Sequence, residues 1–233
     1  NGTNTLAGGA LVGDKAHYSY GVAVENGKTF NMYGGNIIGF EGSSRDPSRA
    51  INVKAGTFNL YGGMIAHNYA KVYGAVKVNS TGKFTMNGGK ITENKVEYET
   101  SMPYGGSGVY VAGGEFTMNG GEITKNAAEE TYGGGIYCSP TSKVAINGGI
   151  ISGNTATVMD GFTSVDGGDG IYLSGKREGA YLNISDSTAI KDEILLSEEG
   201  YVTFTKALQS SLTFGVESPK DGRIIAKGTG EYP

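Results

Sequence analysis

The sequence predicts an all-β chain wound as a single-stranded right-handed parallel β-helix, a solenoid of about six to eight coils with a strand-rich C-terminal cap. Three observations carry this reading. An apolar–spacer–Gly–Gly–spacer–apolar hexamer recurs six times, starting at Leu6, Met32, Leu60, Met86, Met118 and Ile146. The starts are 26, 28, 26, 32 and 28 residues apart, and a repeat in this range signals one supersecondary unit stacked on itself. Each hexamer also follows an alternating apolar segment, and in four copies it is followed at a fixed offset by asparagine.

The first strand of each coil lies ahead of the glycines: Phe30-Asn31-Met32, Phe58-Asn59-Leu60, Phe84-Thr85-Met86, Phe116-Thr117-Met118 and Val144-Ala145-Ile146. Alternation points the large apolar residues to one face and the small polar residue to the other. The glycine pair then turns the chain, because glycine accepts positive φ. A second short strand places Ile65, Ile91, Ile123 and Ile151 inward. Three residues on stand Asn68, Asn94, Asn126 and Asn154, a column expected to hydrogen-bond along the axis; Asp14 and Phe40 occupy its place in the first two coils. A third strand closes the coil, as in Val76-Lys77-Val78, Val109-Tyr110-Val111, Ile136-Tyr137-Cys138 and Ile171-Tyr172-Leu173. Cys138 falls on an inward position and reads as a small buried hydrophobe. In-register stacking also sets Lys90 against Glu122 and Glu93 against Lys125, opposite charges on neighbouring strands.

After Leu173 the glycine pairs stop but alternation continues, as in Leu182-Asn183-Ile184 and Tyr201-Val202-Thr203-Phe204. Residues 1–181 are therefore assigned to the repeats, and 182–233 to degenerate coils and a cap of the same domain, since a solenoid end exposes an unpaired edge. The chain begins in mid-pattern, so further coils are expected upstream. Insertions gather at one corner, between the asparagine and the third strand, at 41–49, 95–107, 127–134 and 155–169.

Composition narrows the function. Of 233 residues 41 are glycine, without a collagen triplet, and the net charge of −4 is spread along the chain. No basic patch is present for nucleic acid or anionic lipid, and no apolar run is long enough to cross a bilayer. One cysteine excludes an internal disulfide.

Two groups of residues stand out as candidate sites. Tyr110, Tyr137 and Tyr172 share one outward position on three successive coils, and Tyr104 and Tyr132 lie in the neighbouring insertions with Tyr98. Such rings suit a sugar or a protein surface; the alternative is that the insertions fold back and bury the ladder. Asp160, Asp166 and Asp169 gather in the longest insertion beside glycines, a set of oxygen donors that would suit calcium, against a plain solvated turn. No cofactor is otherwise implied. Catalysis lacks parts. No aspartates cluster on the strands to supply the paired carboxylates of glycoside cleavage, and His17 and His67 lie far apart in the repeat, too few for a zinc site or a catalytic triad. Threonine columns such as Thr85 with Thr117 are too short for ice binding.

The string F-x-M-x-G-G-x-I-x-x-N followed by G-φ-Y resembles the glycine-rich right-handed β-helix repeats of large bacterial surface proteins. It is similar to the GGAI-type repeats of chlamydial polymorphic outer-membrane proteins and to autotransporter passenger domains, within the pectin-lyase-like class of folds. The resemblance covers roughly residues 5–173. It implies export, display on a bacterial cell surface, and an adhesin-like role in glycan or protein binding, with further domains in the same polypeptide. It brings no catalytic residues, and neither a membrane barrel nor an LPxTG anchor accompanies the repeats here. The leading expectation is thus a secreted or surface module that recognises a glycan or a host protein on its loop-bearing edge. A stalk that only projects other modules is the runner-up, and a polysaccharide lyase or glycoside hydrolase the third.

Overall fold

The computed structural model of the chain describes residues 2–13, 20–42, 50–97, 105–160, 163–175, 181–185, 187–197, 201–204, 212–216 and 226–228. They form an all-β parallel solenoid. One sheet stacks nine strands, running through Thr3–Leu6, Thr29–Met32, Thr57–Leu60, Lys83–Met86, Glu115–Met118 and Lys143–Ile146. A second stacks seven, including Met64–Ala66, Lys90–Thr92, Glu122–Thr124 and Gly149–Ser152, and a third stacks eight, including Val76–Asn79, Val109–Ala112, Ile136–Cys138 and Ile171–Leu173. Each strand pairs in parallel with its equivalent one coil away, so that Phe58 faces Phe84, Ile65 faces Ile91, and Tyr110 faces Tyr137.

The coil has four faces where the sequence suggested three. Directly after the asparagines the chain stays extended as Tyr69–Ala70, Lys95–Glu97, Ala127–Glu129 and Thr155–Asp160, which pair into a fourth, narrow sheet. The insertions at 95–107, 127–134 and 155–169 therefore begin as strands. The longest of them is an antiparallel hairpin in which Thr155–Asp160 returns along Thr163–Asp166. Short, half-polar segments such as Lys95-Val96-Glu97 carry little strand signal of their own, and their pairing comes from the register imposed by the coil.

The solenoid makes about five turns rather than six to eight. After Leu173 the described strands add to only some of the sheets: Tyr181–Ile184, Val202–Phe204 and Ala226–Gly228 extend the first, Thr188–Ile190 the second, and Ile194–Leu196 and Phe214–Val216 the third. The described part of 182–233 thus continues the same parallel stacks as incomplete coils.

One core runs the length of the interior. Phe58, Phe84 and Phe116 are fully buried, with ring centroids 5.1 and 4.9 Å apart, and the columns Met32, Leu60, Met86, Met118 and Ile37, Ile65, Ile91, Ile123 are sealed from solvent. Each such side chain contributes about 1.5–3 kcal/mol by leaving water. The glycine pairs are required by the tight corner: Gly63 has φ +86°, and a Cβ there would lie 2.4 Å from the Gly35 carbonyl oxygen.

At the opposite corner the asparagine column forms as expected. Asn68, Asn94, Asn126 and Asn154 are buried and joined side chain to side chain at 2.9 Å, and each Nδ2 also reaches a backbone carbonyl of an adjoining coil, Ile37, Ile65, Ile91 and Ile123 in turn. Both ends of the column are closed by other means. Asn68 Oδ1 accepts the backbone N–H of Phe40 at 3.1 Å. At the far end Asp192 accepts from the backbone N–H groups of Gly153 and Asn154 and from Asn154 Nδ2. On the second sheet Lys90 and Glu122 pair at 2.9 Å as expected, but the carboxylate of Glu93 turns to His67 at 3.3 Å in the preceding coil rather than to Lys125.

Candidate functional site

The tyrosine column exists and is covered. Tyr110, Tyr137 and Tyr172 stack on successive coils with centroids 5.1 Å apart, yet they are only 5, 6 and 6 % exposed. Leu195 extends the column one coil further, and Tyr73, Ala112 and Tyr132 pack against it as a second hydrophobic cluster outside the main core. Tyr132 stacks on Tyr172 at 4.2 Å, Tyr73 lies 5.0 Å from Tyr110, and the Lys77 ammonium sits 3.7 Å over the Tyr73 ring. Of the two arrangements the sequence left open, the structure has the covered one: a satellite core roofed by the chain that follows the asparagines.

The roof is tight because glycine lines it. The N–H of Gly106 donates to the Tyr132 carbonyl at 2.9 Å, and a Cβ on Gly105 would overlap that same carbonyl. Of the predicted surface residues, Tyr110, Tyr137, Tyr172 and Tyr132 are therefore brought together on the outer side of the third sheet, the first three buried beneath the roof and Tyr132 half-buried within it. Tyr104 and Tyr98 lie outside the described residues.

The predicted calcium residues lie on the hairpin and in the turn that follows it. Asp166 Oδ1 accepts the N–H of Gly168 at 2.7 Å within its own turn, and Asp169 Oδ1 accepts the N–H of Ala156 at 2.6 Å, tying the end of the insertion to its beginning. Asp160 ends a hairpin strand opposite Thr163. Among the described residues no three His, Cys, Asp or Glu side chains are placed to hold a metal ion together. The acidic neighbours of Asp166 are Asp169 and Glu193. Burial, then the charges of Asp166 and Asp192, push the Asp169 carboxyl above its ordinary value against the pull of the Ala156 N–H; burial and the adjoining Asp166 push Glu193 up as well. Cys138 is fully buried, and desolvation pushes its thiol far above the ordinary range, which makes it inert as a nucleophile.

A surface the sequence reading passed over lies at the glycine corner. The spacer ahead of each pair points outward and forms a column of Ala7, Tyr33, Tyr61, Asn87, Asn119 and Asn147. Tyr33 and Tyr61 stack almost parallel, with centroids 4.7 Å apart and planes 8° apart, and remain 55 and 43 % exposed. Below them Asn87, Asn119 and Asn147 join through side-chain hydrogen bonds of 2.9 Å. Above them Ala7 is too small to cover the outer face of Tyr33. The signal was present in the repeat itself, as the one position of the hexamer that holds ring, amide or methyl by turns.

Among the described residues no helix is long and apolar enough to cross a membrane. Comparison with protein-family models, with curated protein sequences and with solved structures finds no match to this chain.

Proposed function

We propose that this chain is a binding module of a bacterial cell-surface or secreted protein, and that it takes a carbohydrate along the outside of its solenoid. The observation that carries the reading is the exposed Tyr33–Tyr61 stack with its ladder of amides beneath. Open aromatic faces accept the C–H face of a sugar ring, and Tyr does so at low entropic cost. Amides on the adjoining coils supply donors and acceptors for hydroxyls at about the 4.8 Å coil spacing. The resemblance of the repeat to surface-protein repeats supports export and display.

A glycan array probed with the wild-type chain and a Tyr33→Ala/Tyr61→Ala variant tests this. The wild type is expected to bind and the variant to lose the signal while its thermal unfolding stays unchanged, since both rings lie outside the core. Retained binding in the variant rules out the ring pair, and no binding by the wild type rules out the reading. The stalk reading draws on a different feature, the unbroken core and asparagine column, which suit a stiff spacer; it takes over if no ligand is found. Release of reducing ends or unsaturated products from polyuronates would instead favour a lyase or hydrolase.

A further inference from the structure

Next to the exposed Tyr33–Tyr61 column, across only the glycine pair of each coil, the outer face of the second sheet is concave. A groove of about 430 Å³ runs along the axis over the strands Met64–Ala66, Lys90–Thr92, Glu122–Thr124 and Gly149–Ser152. Its floor is hydroxylic. Thr92 and Thr124 bond to each other at 3.2 Å, and Ser152 follows on the next coil. Its walls carry Lys90 and Glu122, paired with each other across coils at 2.9 Å, Glu93, which reaches His67 at 3.3 Å, and Lys125 on the next coil. These four charges sum to zero.

A second feature of the same groove is strain. His67, Glu93 and Lys125 hold φ of 52, 55 and 55°, the left-handed region, at the position that Gly39 and Gly153 fill in the flanking coils with φ of 72 and 66°. Glycine would satisfy this corner at no steric penalty, whereas a residue with a Cβ is disfavoured there. Three successive coils keep a long polar side chain where glycine fits better, and two of these side chains, Glu93 and Lys125, line the groove. Strain retained at one place in a regular scaffold points to a use for the side chain.

We propose that this groove is a subsite for an uncharged oligosaccharide lying parallel to the solenoid axis; the assignment rests on the carbohydrate-binding reading above. A groove of zero net charge offers nothing to a polyanion such as a polyuronate or nucleic acid. Lys125, with the Lys90–Glu122 and Glu93–His67 pairs beside it, offers both ammonium donors and carboxylate acceptors for charge-assisted hydrogen bonds to sugar hydroxyls. A peptide is disfavoured on two grounds. The backbone groups of the floor are already paired in the parallel ladder, leaving no edge for strand addition, and among the described lining residues Met64 alone brings a large apolar side chain. The three coils from Met64 to Glu122 span about 10 Å, the length of a disaccharide.

The test uses the left-handed corner itself. A Glu93→Gly/Lys125→Gly variant removes both wall side chains and relaxes the backbone, so its thermal stability should match or exceed that of the wild type. Both proteins are titrated calorimetrically with neutral glucan, xylan, mannan and galactan oligosaccharides, and with polygalacturonate and heparin fragments. The expected result is binding of a neutral oligosaccharide by the wild type, weakened about ten-fold or more in the variant, a loss of at least about 1.4 kcal/mol. Unchanged affinity in the variant overturns the groove, and if the Tyr33→Ala/Tyr61→Ala variant then loses binding, the wider carbohydrate reading stands without it. Binding of the acidic polymers alone overturns the neutral class. No binding of any sugar overturns both readings.

Discussion

Asn126 Oδ1 accepts two hydrogen bonds from a single residue, Asn94: one from its backbone N–H at 3.1 Å and one from its side-chain Nδ2 at 2.9 Å. Asn94 repeats the arrangement toward Asn68. Each asparagine in the column thus satisfies backbone and side chain of its neighbour at a corner that is closed to water.

Asn94→Ala should therefore be severe. It leaves the backbone N–H of Asn68 without its acceptor, takes one of the two acceptors of Asn68 Nδ2, and removes the donor to the Ile65 carbonyl, all of them buried. Unpaired buried groups cost about 1–3 kcal/mol each, so urea unfolding should show a loss of about 2–4 kcal/mol. Asn87→Ala, in the solvent-exposed amide ladder, should cost less than about 1 kcal/mol. Equal losses for the two would refute this account of the column.

The acidic group near the hairpin predicts an unusual pH response. Asp169 and Glu193 both have carboxyls raised above their ordinary values by burial and by acidic neighbours. A raised folded-state value favours the protonated acid in the native form. That stabilisation is complete below the unfolded carboxylate pKa of about 4 and is lost as pH rises through the raised native values. Asp169→Asn/Glu193→Gln mimics the protonated pair, and the amide oxygen that replaces the Asp169 carboxylate can still accept the Ala156 N–H. In urea melts from about pH 4 to pH 8, the variant should be more stable than wild type at the upper end, with the difference closing as pH falls. A difference independent of pH would exclude this role for the pair.

Cys138 should report on opening of the solenoid. Its side chain lies inside the core, between Val111 and Leu173 of the adjoining coils. A maleimide or disulfide reagent should label it only as fast as the coils separate, with a urea dependence equal to that of global unfolding. Rapid labelling under native conditions would show that the third sheet opens locally.

The stacking of coils was legible because glycine, asparagine and inward apolar residues recur with little drift: Phe58, Phe84 and Phe116 announce the register that their rings adopt. The fourth face was not, since Tyr69-Ala70 and Ala127-Ala128-Glu129 have neither the length nor the alternation of a strand and pair only because Asn68 and Asn126 hold them in line. The tyrosine column stands at the positions the period assigns, but whether Tyr132 would roof it depended on the path of glycine-rich chain, which has no periodic signal. Tyr33 and Tyr61 were written inside the repeat, and their outward stacking follows from the same period. Asp192, which closes the asparagine column, lies 38 residues beyond Asn154, after the repeat has ended, where spacing no longer speaks.

The amide columns also run in opposing directions. In the buried column every side-chain to side-chain bond runs from an Nδ2 to the next coil, from Asn68 through Asn154 to the Asp192 carboxylate. In the outer columns Asn59 points back to Asn31, Asn79 to Asn52, and Asn147 through Asn119 to Asn87. Aligned dipoles in one file polarise one another in the same sense and act as partial charges at the two ends of the file. Counter-running files set opposite partial charges side by side at each end, and the one-way inner file still gives the solenoid a definite head and tail.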